Sequence, residues 1–560
     1  MSLPFRWLRS AAFQLRCWFE SYRHGPRLRQ LRLEIEALAP AVESDDRPVF
    51  FFNASTRTWG VSQNAAFGLL ASWGLRLSGM PVRYLACMRG MQQCLLGTNR
   101  KRLGRMPPCK SCMRLSEQMY PGNLLDAIEA PDKGWSDLPD FSERGTLASL
   151  LEVEHLGLKI GELCLPSLRW VLRRHNIPDT AEIRALYKKY LRSAIHVAQV
   201  FIQIVERTPP RAVVVFNGIT FPEAVVRQIA IGRGIPVITH EVGVRPFSAF
   251  FTHGEATAYP IEIADDFRLT PEERARLETL LFARFQGDFS MAGIRFWPEM
   301  RALSETLKAK LESYDKSVAV FTNVIFDTSQ VHANVIFDDM FAWLEQVVHF
   351  AGKHPHTLFV IRAHPDELRP GKEAQETVAE VLSQWNIAAM ENVVFIPSLE
   401  FVSSYDLIRR SKLVMVYNSS IGLEATLLKR VVLCGGASRY SRYPTVFFPE
   451  SAQKYFQLAE KFIKEVDPKP PQSFVDEAKR FYYVQHFLTS LDYSPFLRPD
   501  KTFPGYVSFS DFNVQMLHPI RCRENAIVER GIRSNTQLFY DRSDVNAEIS
   551  SEMSRNERSV

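Results

Sequence analysis

The chain has 560 residues, 46% of them hydrophobic and 23% charged, and a formal net charge of +6. That length is too great for one compact core and predicts two or three domains of ordinary globular composition. No apolar run approaches the roughly 20 residues that cross a bilayer, and no Lys/Arg tract interleaved with aromatics suggests nucleic acid.

The first segment is basic, with Arg6, Arg9, Arg16, Arg23, Arg27, Arg29 and Arg32 set against few acids. Its arginines interrupt any signal-peptide core, so a cytoplasmic location is expected. Wound as a helix from Leu3 to Tyr22, it places Trp7, Leu8, Ala11, Leu15, Trp18, Phe19 and Tyr22 on one face, and Gly25-Pro26 is expected to end it. Such a helix either lies in the headgroups of an anionic inner membrane, on its cytoplasmic face, or packs on the protein's own surface.

From Pro48 the pattern turns to α/β. Val49 to Phe52 reads as a buried strand, followed by a helical stretch through Leu77 and a strand over Pro81 to Ala86. A loop carrying Cys87, Cys94, Cys109 and Cys112 comes next. The chain has 8 cysteines, and clustering half of them in a reducing compartment suggests metal before disulfides. Cys109 and Cys112 have the spacing of one side of a tetrahedral zinc site, while Cys87 and Cys94 are spaced more loosely than usual. The set is expected to be either a structural zinc site, closed by four thiolates, or buried free thiols.

Leu115 to Glu206 reads as mostly helical, with no strong strand. Arg211 to Phe216, Pro222 to Gly232 and Ile235 to Thr239 then form a strand–helix–strand unit with a right-handed crossover. A charged helical connector spans 263–316, with a good helix start at Thr270-Pro271-Glu272-Glu273. Five apolar strands follow, at Ser317 to Thr322, Thr357 to Arg362, Asn392 to Ile396, Leu413 to Tyr417 and Val431 to Cys434, each separated from the next by a helix. This predicts two Rossmann-like parallel-sheet domains facing a cleft, over 46–262 and 317–465. Residues 1–45 form a basic helical segment, 466–540 a C-terminal helical region, and 541–560 a polar tail expected to be disordered.

In open α/β sheets, ligands bind beyond the carboxyl ends of the strands, and the sharpest motifs fall there. Arg362-Ala363-His364-Pro365-Asp366-Glu367 follows one strand directly; His364 can donate to a phosphate oxygen, Arg362 adds charge, and Pro365 fixes the direction of His364. A surface turn is the plain alternative. Asn418-Ser419-Ser420-Ile421-Gly422-Leu423-Glu424 joins a buried strand to a helix whose free first-turn amides favour a phosphate, with Gly422 admitting the ligand. Capping by Ser420 is the plain alternative, and leaves Glu424 to accept from a sugar or ribose hydroxyl. Gly435-Gly436 follows the next strand. In the first half, His240-Glu241 ends a strand and supplies the candidate base, either residue serving. Asn53, Ser55 and Asn217 stand at other strand ends as acceptor contacts.

The stretch from Phe321 to Tyr440 resembles the bacterial capsule polysaccharide biosynthesis family, which includes transferases of 3-deoxy-manno-octulosonic acid. The matching residues are Asn323, Trp343, Arg362, His364-Pro365, Glu367, Asn418-Ser419-Ser420, Gly422, Glu424-Ala425 and Gly436. The His-Pro and paired-serine elements also resemble those with which polysialyltransferases hold cytidine monophosphate. The resemblance implies a GT-B fold, with a nucleotide-sugar donor held by the second domain through these residues. It further implies a growing, lipid-linked surface glycan as acceptor on the first. Two departures stand out: Glu241-Val242-Gly243 offers one acid where polysialyltransferases have two, and Val416 stands where many retaining enzymes carry a second glutamate. With no Asp-x-Asp at a strand end, transfer is expected to need no divalent ion or catalytic cofactor. The competing readings are a sugar-nucleotide epimerase of the same fold and a non-catalytic polysaccharide assembly factor.

Overall fold

A computed structural model describes residues 22, 24–41, 47–53, 60–286, 301–500 and 505–535. The predicted Leu3–Tyr22 helix (apart from Tyr22 itself), Ser55 and the tail beyond 541 lie outside the described residues. Residues 24–38 are helical, so Gly25-Pro26 does not end a helix as expected. Leu28, Leu31 and Ile35, at helical spacing, are buried in the first core, and that burial outweighs the hydrogen bond Pro26 forgoes.

The first lobe contains β1 (Val49–Asn53), β2 (Val61–Ser62), β3 (Val82–Met88), β4 (Leu125–Glu129), β5 (Ala212–Phe216), β6 (Val237–Val242) and β7 (Ser248–Thr252). Its main sheet runs β7-β6-β5-β1-β3-β4, parallel except at β7, which pairs antiparallel with β6. Runs such as Ala212-Val213-Val214-Val215 are buried throughout because helices cover both faces. The stretch read as strandless holds β4, whose Leu-Asp-Ala-Ile-Glu carries too few apolar residues to stand out; at the sheet edge, pairing with β3 suffices.

The second lobe is built on β8 (Ser317–Phe321), β9 (Leu358–Arg362), β10 (Val393–Ile396), β11 (Leu413–Val416) and β12 (Val431–Cys434), in the order β10-β9-β8-β11-β12, all parallel. The expected connector is not a free link. Its helix Pro271–Phe285 starts where expected, with Thr270 and Glu273 forming a capping box, and buries Leu277 and Leu281 in the second-lobe core.

The chain then returns. Helix Gln472–Tyr483 packs on the second lobe, and β13 (Leu491–Asp492), β14 (Leu497–Pro499) and β15 (Tyr506–Phe509) lead to helix Arg523–Ser534 on the first. There β13 extends the main sheet beside β7, and β15 pairs with β2. The region expected to be a separate helical C-terminal part thus completes the first lobe, because Leu491, Tyr493, Phe496, Leu497 and Val507 have their core there. Both lobes have Rossmann-like winding. Numbered within each lobe, the parallel strands run 3-2-1-4-5, so the winding reverses between β8 and β11 and between β1 and β5.

Candidate functional site

The reversal point of the second sheet carries Asn323 just beyond β8 and Asn418-Ser419-Ser420 just beyond β11. His364 lies one strand further out, beyond β9. At about 4.8 Å between neighbouring strands, these residues share one edge of one sheet. Asn418 binds the loop after β8: its amide donates to the Ser329 carbonyl (3.2 Å) and its oxygen accepts from Gln330 (2.9 Å). The Asn418 backbone amide reaches Asn323 Oδ1 at 3.4 Å. Ser419 is buried and Ser420 exposed. The Ser420 hydroxyl makes no capping bond, contrary to the plain alternative.

His364 is half-buried, and its Nδ1 accepts from the Asp366 amide (3.1 Å), which leaves the ring proton on Nε2. Burial depresses its pKa most, and Arg362 and Arg369 push the same way against Asp366 and Asp327. The group is therefore a neutral N–H donor at neutral pH. Arg362 beneath it is 2% exposed, and burial brings its pKa down to about 10.

Other predicted donor contacts are engaged within the lobe. Glu424 accepts from Arg284 (2.7 Å) and Tyr405 (2.7 Å), so both its oxygens are held in the interior rather than offered to a sugar. Glu367 accepts from the Val378 amide (2.8 Å) and the Ser398 hydroxyl (2.6 Å), and thereby anchors two loops. Gly422 makes room for Tyr440, whose hydroxyl donates to the Ser419 carbonyl, rather than for a ligand. Gly436 packs against the Tyr417 ring and the Ala333 carbonyl, 3.0 Å from where a Cβ would stand. Pro365 begins the single turn that carries Asp366.

At the reversal point of the first sheet stand Asn53, beyond β1, and Asn217, beyond β5. Asn217 has φ +65°, a conformation asparagine tolerates, and donates to Glu241 Oε2 (3.1 Å). Asn64, which no motif marked, donates to Glu241 Oε1 (2.8 Å). The Glu241 carboxylate is thus fixed at the end of β6. Burial raises its pKa, as does Asp327 of the other lobe, against hydrogen bonds from the Val242 amide, Asn64 and Asn217. Asn217 orients Glu241 rather than standing open to an acceptor.

His240 is 4% exposed and lies between the rings of Phe216 and Phe251, with burial bringing its pKa down to about 3. It lines a cavity together with Asn53, Asn64, Thr220 and Glu223. His240 Nδ1 and Thr220 Oγ1 are buried there without a hydrogen-bond partner among the described residues, although buried polar atoms nearly always have one. Asn53 donates to the Tyr120 hydroxyl (3.0 Å). Burial brings the Glu223 carboxyl up to about 8. No sequence motif marked it; it opens the helix that follows β5. Cys87, Cys94, Cys109 and Cys112, none of them in a disulfide, line an adjoining cavity that shares Met91, Cys94 and Leu96 with this one.

Across the gap between lobes, His332 pairs with Glu255, and Arg439 stacks on Tyr259 at 4.2 Å. Asp327 lies close enough to act on His364 of its own lobe and on Glu241 and Tyr259 of the other. Residues 295–443, which include the second-lobe edge, match the family model described as capsule polysaccharide biosynthesis protein. This segment is similar to that family over about a quarter of the chain.

The matched segment holds Asn323, His364, Asn418, Ser419 and Ser420; Glu241, His240 and Glu223 lie outside it. No curated protein sequence matches the chain. Similar solved structures include the β-Kdo 2,4 transferase of KpsC from Thermosulfurimonas dismutans, at 13% identity over 55% of this chain and 87% of that one, with a TM-score of 0.34. The β-Kdo 2,7 transferase of the same KpsC is 15% identical over 56% of this chain and 85% of that one, at a TM-score of 0.32. The UDP-GlcNAc 2-epimerase of Methanocaldococcus jannaschii is 11% identical over 78% of this chain and 99% of that one, at 0.26.

Proposed function

We propose that this protein is a glycosyltransferase of capsule polysaccharide synthesis. The second lobe takes a nucleotide-activated sugar, and the first takes the growing glycan. The observation that carries the reading is the position of Asp327, within electrostatic reach of His364 on one lobe and Glu241 on the other. Asp327 therefore stands near the strand ends of both lobes.

In this reading His364 donates its Nε2 proton in a hydrogen bond to the leaving phosphate, helped by the Ser419 and Ser420 hydroxyls. Glu241, held by Asn64 and Asn217, takes the acceptor hydroxyl's proton as that oxygen bonds to the anomeric carbon. The bond from that carbon to the phosphate oxygen breaks, and its electron pair leaves with the nucleotide. Glu241 suits the role better than His240, whose depressed pKa makes it a poor base at neutral pH. A CMP-linked acidic sugar is the first donor to test, and no step in this scheme calls on a metal ion. The acceptor is a lipid-linked glycan at the cytoplasmic face of the inner membrane, which the arginines of the first segment would favour.

A thermal-shift screen of cytidine, uridine and guanosine nucleotides tests the donor half: one should stabilise the protein, and His364→Ala should lose that shift. In a transfer assay, Glu241→Gln should lower kcat by about 10²–10⁴-fold while nucleotide stabilisation is kept. Epimerised donor without transfer would replace this reading with the epimerase, and no stabilising nucleotide would point to an assembly role.

A further inference from the structure

We propose that Cys87, Cys94, Cys109 and Cys112 bind one zinc ion as a four-thiolate structural site that clamps their loop onto the first lobe. Cys87 belongs to β3, Cys94 to the loop after it, and Cys109 and Cys112 to the first turn of helix Cys109–Met119. All four line one cavity of about 30 Å³, room for little more than a single water or ion. Their thiols share one neighbourhood: ionisation of Cys109 or Cys112 opposes that of Cys87, and all three oppose that of Cys94. None is in a disulfide.

The backbone is arranged for sulfur. Cys87-Met88-Arg89-Gly90 and Cys94-Leu95-Leu96-Gly97 repeat one spacing, and each glycine amide donates to the sulfur three residues back, at 3.2 Å for Gly97 to Cys94. Glycine is required at both places. A Cβ on Gly97 would stand 2.6 Å from Pro107 and 2.9 Å from the Cys94 sulfur, and one on Gly90 would strike the Ile128 carbonyl. Cys109 and Cys112, one helical turn apart, share a face at the positive end of an 11-residue helix, and Arg89 adds positive charge near Cys109. Burial pushes the Cys87 thiol up to about 12, so without a metal it keeps its proton. Binding exchanges four S–H protons for four metal–sulfur bonds, and the ion's two charges offset half of the four thiolate charges.

A clamp also answers a question the fold raises. Residues 91–108 contain neither helix nor strand, an unusual length for an ordered connection inside a compact lobe. The loop nevertheless reaches the other lobe, where Arg100 donates to the Gly371 carbonyl (2.6 Å), and it lends Met91, Leu95 and Leu96 to the cavity beside His240. Among the described residues no three His, Cys, Asp or Glu side chains stand ready to hold a metal as they are. The four thiols must therefore turn inward on binding.

The full-length protein, made in zinc-supplemented medium and desalted, should carry one zinc per chain by elemental analysis. A thiol-specific mercurial should release it, and Cys94→Ser and Cys112→Ser should each lose it, while Cys164→Ser, in a separate helix, keeps it. Should the cluster variants fail to fold, cobalt titration of the wild type decides, by the visible bands of tetrahedral sulfur-ligated cobalt. Zinc well below one per chain together with no such bands, zinc retained in both cluster variants, or bound iron instead would overturn the proposal. These readouts need no transferase activity, so their failure and that of the catalytic reading are separable.

Discussion

Glu223 and His240 line one cavity with pKa values displaced in opposite senses by the same burial, because desolvation opposes whichever form is charged. For His240 the folded value, about 3, lies below the ordinary 6.5. Its contribution to stability is therefore whole above pH 6.5 and is lost as pH falls towards 3, at about 1.4 kcal/mol per pH unit. Glu223, at about 8 against 4.5, runs the other way: its contribution is whole below pH 4.5 and lost as pH rises through 8. Glu223→Gln should accordingly raise Tm by about 2–4 °C at pH 8 and change it little at pH 4.5, as read by calorimetry across that range. Strand-end position singled out His364, Asn323 and Glu241 in the sequence, and the structure places all three at strand ends. It misjudged Glu424, because the arginine that claims it lies on a helix of the expected connector, and nothing local to the Asn-Ser-Ser motif announces so distant a partner.

The elements were legible where their period was strong. All five strands of the second lobe fall where their apolar runs predicted, because helices on both faces demand continuous apolar sequence. Edge and returning strands were not, since β4, β7 and β13 to β15 are short or interrupted and are fixed by neighbours distant in sequence. Helix Ile421–Leu427 shows what small residues do here. The space beside Gly422 belongs to Tyr440, so Gly422→Ala must displace the tyrosine hydroxyl from the Ser419 carbonyl or push the helix off β11. The expected loss is about 1–3 kcal/mol in urea unfolding, and Gly422→Ala with Tyr440→Phe should recover part of it.

Among the described residues, the charged contacts between the lobes include His332 with Glu255, a pair open to titration. The hydrogen bond from Glu255 does most to raise the His332 pKa, with burial and Arg227 opposing. The raised value means that the pairing is full below pH 6.5 and fades as pH rises past the folded value. Hydrogen exchange at the facing segments should therefore quicken from pH 6 to pH 9 in the wild type, and His332→Gln should be fast throughout. The return of residues 491–535 to the first lobe has a consequence for biosynthesis. A ribosome that has just released the second lobe still holds the strands and helix that finish the first. The half of the molecule that begins translation earliest is thus sealed last, with the Trp73 side of its sheet waiting for Tyr493 and Asn525 to emerge from the exit tunnel.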